Sequence, residues 1–101
     1  MKGSLTRSER LNLMRKTIAH IASYGEAGKL AIKLVSSRFI PEGKCDADIS
    51  NNCLARMDTA VANIESEFMY LEDEADKKSM PEKERAAFYM EAIPVVKFFI
   101  R

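Results

Sequence analysis

Histidine occurs once in this chain, as His20, and cysteine twice, as Cys45 and Cys53, with no tryptophan at all. These residues form neither a C-x-x-C pair nor a ligand set at zinc spacing, so no metal and no cofactor are expected. In a reducing compartment the two cysteines are free thiols. No stretch reaches the roughly 20 apolar residues that a membrane-spanning helix needs. The polar segment Met1–Arg10 also lacks the apolar middle of a secretory signal. The expectation is a cytoplasmic protein without membrane contact. There is no phosphate-binding G-x-x-x-x-G-K-[ST], no G-x-S-x-G and no H-E-x-x-H, so no catalytic residue is assigned and an enzyme is not expected. No β-hairpin signal, fixed-period repeat or low-complexity segment occurs. The run Ile93–Ile100 has strand-like composition but no second strand to pair with.

What is present is ordinary for a globular chain, with 47% apolar and 31% charged residues in 101 positions. The length suits one domain over residues 1–101. The net charge of +1 conceals a division after Lys44. Residues 1–44 carry nine Lys/Arg against three Asp/Glu, and residues 45–101 carry seven against twelve. A basic half and an acidic half can pair within the molecule, pair between copies, or leave the basic half free for an anionic partner.

Helical periodicity runs through both halves. Thr6 and Glu9 form an S/T-x-x-E capping signal, followed by the stripe Leu11, Met14, Ile18 and Ile21. The rhythm continues through Gly25, Gly28, Ile32 and Val35, so one continuous or gently kinked helix is expected from Arg7 to Arg38, with a turn at Gly25 as the alternative. Pro41 restricts Ile40 to extended geometry and ends that helix, and Pro41–Gly43 reads as a turn. A long helix then starts near Asp46 or Asp48 and carries the near-heptad stripe Ile49, Cys53, Met57, Ala60, Ile64, Phe68, Leu71 and Ala75. Ser79 and Glu82 repeat the capping signal, with Pro81 in the first turn, for a short helix to about Ala92. Pro94 interrupts it and begins an apolar tail. The fold expected is all-α, a small bundle of three to four helices dominated by two long amphipathic ones.

Function follows less directly. The leading expectation is a non-enzymatic protein-interaction module, a small inhibitor or regulator that binds and occludes a macromolecular target. Chains of this class are frequent in phages and other mobile elements. A protein target is the expected partner, with self-association as a homo-oligomer through the stripe and tail residues Met57, Ile64, Phe68, Leu71, Phe98 and Phe99. The alternative is a nucleic-acid or nucleoid-type regulator that draws phosphate contacts from Lys2, Arg7, Arg10, Arg15, Lys16, Lys29, Lys33, Arg38 and Lys44. A third reading is a binder of a small anion such as a nucleotide, with Tyr24 stacking on a base and Lys29 and Lys33 neutralising phosphate. Lys16, His20 and Tyr24 share a helical ridge that also suits phosphate.

One local likeness bears on the alternative. Glu84, Ala86, Phe88, Tyr89, Ala92, Ile93, Pro94, Lys97, Ile100 and Arg101 together resemble the C-terminal part of the Hha/YmoA family of small helical nucleoid-protein modulators. The likeness spans under a fifth of the chain. The helical residues that the family has between its two halves are missing here, so no interaction surface is carried over. The resemblance implies only a nucleoid-regulator role.

Overall fold

The computed structural model describes residues 4–101, so Lys2 lies outside the described residues. Five α-helices follow in order: α1 (Arg7–Ala22), α2 (Glu26–Phe39), α3 (Asn51–Lys77), α4 (Glu82–Tyr89) and α5 (Ile93–Phe99). Short 3₁₀ turns occupy Asp46–Asp48 and Met90–Ala92. No strand occurs among the described residues, and the Ile93–Phe99 segment is helical.

The first capping signal works as its residues dictate. The Glu9 amide donates to Thr6 Oγ1 at 3.1 Å while the Thr6 amide donates to Glu9 Oε1 at 2.8 Å. The continuous first helix does not form. α1 stops at Ala22, and Gly25 adopts φ +95°, a conformation that side chains rarely take. α2 then turns back so tightly that a β-carbon on Gly28 would lie 1.9 Å from the Ile21 carbonyl oxygen. The glycine pair therefore makes a helical hairpin, not a kink.

Three other boundaries differ from expectation. Asp46–Asp48 forms a 3₁₀ turn, and α3 starts later, with Ser50 Oγ accepting from the Cys53 amide at 3.1 Å. Ser79 does not cap α4. It ends α3 at φ +52°, where the Met80 amide reaches back to the Ala75 carbonyl and the Ser79 amide to that of Asp76. Pro94 lies in the first turn of α5, where its missing N–H costs nothing, so the chain resumes as helix. The end of α2 is as expected, with Ile40 extended ahead of Pro41.

Contacts fix the helix directions. Arg7 meets Asn51, His20 meets Glu65 and Tyr24 meets Glu72, so α1 and α3 run parallel. α2 returns between its hairpin with α1 and the Cys53–Phe39 contact near the start of α3. Arg85 with Asp76, Tyr89 with Phe68, and Phe99 beside Ala55 and Thr59 show α4 and α5 descending antiparallel to α3. The result is an up-down-up-down bundle. α3 is the shared element, packed by α1, α2, α4 and α5.

The α3 stripe is the centre of the core. Met57, Ile64 and Phe68 are fully buried and Leu71 nearly so, together with Leu54, which periodicity did not single out. Met14 and Ile21 of α1, Ala31 and Val35 of α2, and Val96 of α5 close over them. Helices of the same chain cover the stripe, so these four residues offer a partner no surface in this structure. The apolar tail divides. Ile93 and Val96 are buried and Phe99 and Ile100 half-buried, whereas Phe98 is 59% exposed.

Candidate functional site

The bundle has two ends at which aromatic rings meet ionisable groups. At the end holding the α1–α2 hairpin, Tyr24 is buried and stacks on Phe68, with centroids 5.1 Å apart, while Tyr89 sets its edge against Tyr24 at 5.3 Å. The Tyr24 hydroxyl donates to Glu72 Oε1 at 2.9 Å. Burial, and then the neighbouring Glu72 carboxylate, push the Tyr24 phenol well above its ordinary range. His20 Nδ1 lies 2.7 Å from Glu65 Oε2. Tyr24 therefore has no free face for a nucleotide base, and His20 is tied to an acid of the neighbouring helix. The acidic run after Glu72 is also partnered. Lys77 contacts Asp73 at 3.1 Å and Glu74 at 3.7 Å, and Arg85 contacts Asp76 at 2.6 Å. Lys78 lies over the Phe88 ring at 5.6 Å.

The opposite end is built differently. α2 must stop before Pro41, which leaves Arg38 and Phe39 in its last turn, where a cation also complements the helix dipole. The Cys53 thiol lies 3.3 Å from the Phe39 carbonyl oxygen, joining this end of α2 to the start of α3. The antiparallel descent of α5 brings Phe99 opposite Ala55 and Thr59. Phe39, Ala55, Arg56, Thr59, Phe99 and Arg101 line a cleft of about 380 Å³.

Two guanidinium groups line it, those of Arg56 and Arg101, and a third, that of Arg38, lies against the same Phe39 ring as that of Arg56. Those of Arg38 and Arg56 lie over the same Phe39 ring, at 5.1 and 5.8 Å from its centroid, and that of Arg101 lies over Phe98 at 4.7 Å. The Phe98 and Phe99 rings are 6.2 Å apart. None of the three guanidinium groups makes an ion pair among the described residues. Arginine stays protonated throughout the working pH range, and its planar fork suits carboxylate or phosphate oxygens in pairs. The cleft thus combines fixed positive charge and room for a side chain, floored by the buried Phe39 and the half-buried Phe99, with the exposed Phe98 ring beside it.

Of the anion-contact residues expected from sequence, Arg7, Arg15 and Tyr24 are engaged within the fold. Arg7 is committed to Asn51 Oδ1 and to the Ala47 and Ile49 carbonyls, joining the start of α1 to the chain ahead of α3. Arg15 grips Asp46 through two bonds of 2.9 and 2.7 Å. The Arg15 hydrogen bond holds the Asp46 carboxyl below the usual carboxylate range. Lys16, Lys29 and Lys33 are exposed and Arg10 half-buried, none with an ion pair among the described residues. Basic and acidic halves therefore meet in the Arg15–Asp46 ion pair between α1 and the loop ahead of α3 and in the His20–Glu65 contact, while Lys16, Lys29 and Lys33 stay solvated.

Sequence reasoning found Phe98 and Phe99 as an apolar tail and Arg38 as one charge among nine. It did not find Phe39, Arg56 and Arg101 as their companions. Helical periodicity reports which residues share a face of one helix, and this cleft is assembled from three helices. The only local signal was an isolated Arg56 near the start of an otherwise acidic helix. Among the described residues, no group of three or more His, Cys, Asp or Glu side chains is arranged to hold a metal ion, and no helix is long and apolar enough to cross a membrane. Comparisons with known families, with curated proteins and with solved structures each give no match to this chain.

Proposed function

We propose that this chain is a non-enzymatic protein-interaction module, a small inhibitor or regulator that binds a macromolecular target and occludes part of it through the Phe39–Arg56–Phe99 cleft. The observation that carries the reading is an open cleft lined by the guanidinium groups of Arg56 and Arg101, which make no ion pair among the described residues, with that of Arg38 against the same Phe39 ring. Protein interfaces are enriched in arginine and aromatic residues at their centres and depleted in lysine and acids, which is the composition here. An exposed Phe98 beside the cleft extends the apolar contact.

Self-association, if it accompanies this role, falls to Phe98 and Phe99, because the α3 stripe is occupied. Nucleic-acid binding has Arg10, Lys16, Lys29 and Lys33 to draw on and lacks Arg7 and Arg15, which have structural partners. The small-anion reading loses Tyr24.

A photo-crosslinking residue at position 98, with a second at the exposed Leu13 on α1 as control, tests the proposal in the cells that make the protein. The expected outcome is a discrete protein adduct from position 98 that disappears with Arg56→Glu, and none from position 13. Adducts from both positions, or from neither, would contradict it.

A further inference from the structure

We infer that the cleft receives an acidic peptide segment of a partner protein, with one apolar side chain entering between Phe39 and Phe99 and the flanking carboxylates binding Arg56 and Arg101. This inference rests on the protein-interaction reading of the same site and specifies the occupant.

Charge and shape both select this chemistry. The apolar lining is the half-buried Phe99, the exposed Ala55 and the small exposed edge of the buried Phe39, with Thr59 beside them, and the apolar part gains by covering an apolar side chain. Its rim is cationic, and every cation on it is arginine. A carboxylate accepts two parallel bonds from a guanidinium, whereas a lysine would serve as a point charge. Two of the three guanidinium groups line one opening, and the third shares the Phe39 ring with one of them. A nucleic-acid backbone needs phosphate contacts spread along a track, and none of the exposed lysines of α1 and α2, Lys16, Lys29 and Lys33, lines this cleft.

The acidic run of a second copy is a poorer source of the acid. Each of its four carboxylates is already engaged: Asp73 and Glu74 face Lys77, Asp76 faces Arg85, and Glu72 accepts the Tyr24 hydroxyl. Using that run between copies would break contacts already made. A separate partner with unpaired Asp and Glu around a Leu or Phe breaks none.

The test is fluorescence anisotropy with the full chain and a labelled peptide carrying a central Phe flanked on each side by Asp and Glu. Three comparison probes accompany it: the same peptide with Ser at the centre, its counterpart with Lys in place of the acids, and a single-stranded oligonucleotide of equal charge. Saturable binding of the acidic Phe peptide alone is expected. Arg56→Gln and Arg101→Gln, both at exposed positions, should each weaken it about tenfold, the equivalent of one charge-assisted hydrogen bond. Lys16→Gln and Lys29→Gln should leave it unchanged, and Phe98→Ala, with unchanged circular dichroism, should weaken it independently of charge. No saturable binding, equal binding of the Ser peptide, tighter binding of the oligonucleotide, or insensitivity to Arg56→Gln and Arg101→Gln would each overturn the inference. A dimer dissociated by Arg56→Gln would overturn it too, by making a second copy the occupant. Loss of peptide binding with the position-98 crosslink intact removes this inference alone, whereas loss of the crosslink removes the interaction reading beneath it.

Discussion

The two ends of this bundle use the same materials, phenylalanine and tyrosine rings beside charged groups, and arrange them to opposite effect. At the hairpin end Tyr24, Phe68 and Tyr89 pack ring against ring out of solvent, and the hydroxyl of Tyr24 has its acceptor in Glu72. At the other end Phe39 and Phe99 leave a cleft, with Phe98 beside it, and Arg38, Arg56 and Arg101 lie over rings without an ion pair among the described residues. Satisfied polar groups and filled space stabilise a fold. Unsatisfied charge at an open cleft adds little to stability and is available to a ligand. The difference separates the structural end from the binding end.

Substitutions should respect that division. The largest effect belongs to Phe68→Ala, which empties the fully buried centre of the aromatic cluster and should cost about 3–5 kcal/mol in urea unfolding. Gly28→Ala follows, at about 2–3 kcal/mol, because the added methyl meets the Ile21 carbonyl and the hairpin must open to admit it. A Gly28→Ala protein with unchanged stability would mean that the α1–α2 approach is looser than described.

Tyr24→Phe should cost about 1 kcal/mol by removing the hydrogen bond from the buried hydroxyl to Glu72. Its pH dependence is more informative. The folded chain holds the Tyr24 proton more tightly than the unfolded chain, because burial first and Glu72 second raise the phenol. The resulting stabilisation is complete below the unfolded value of about 10 and declines as pH rises above it. Thermal melts from pH 8 to 10.5 should show an alkaline loss in the parent protein that is smaller in Tyr24→Phe. Equal losses in both would place the alkaline sensitivity elsewhere. The smallest effects belong to the open end, where Phe98→Ala and Arg56→Gln should each change stability by less than about 0.5 kcal/mol. A large loss from either would make that end structural as well.

The shared core was more legible in the sequence than the cleft. The stripe from Met57 to Leu71 declared its burial through spacing, and Thr6 with Glu9 declared the start of α1. Gly25 and Gly28 were visible as a place of close approach, yet their apolar rhythm also suited one long helix. The backbone conformation of Gly25, which no periodicity encodes, decides between the two. Ser79 and Ser50 show the same limit. Both are plausible caps by residue type, but only Ser50 directs its oxygen at a helix N-terminus, while Ser79 closes the helix before it. Pro94 was read as a break and serves as a first-turn residue, because the 3₁₀ turn at Met90–Ala92 delivers the chain already wound. The cleft was illegible for a further reason. Phe39, Arg56 and Arg101 are far apart in sequence, and only the descent of α5 along α3 brings them together.

The most direct test of the division between the two ends is an amide NMR titration of the isotopically labelled full chain with the acidic Phe peptide. The account predicts shifts confined to residues 38–39, 55–59 and 98–101, with the amides of Tyr24, Phe68 and Tyr89 unmoved. Shifts centred on Lys16, Lys29 and Lys33, or on the aromatic cluster at the hairpin end, would contradict it.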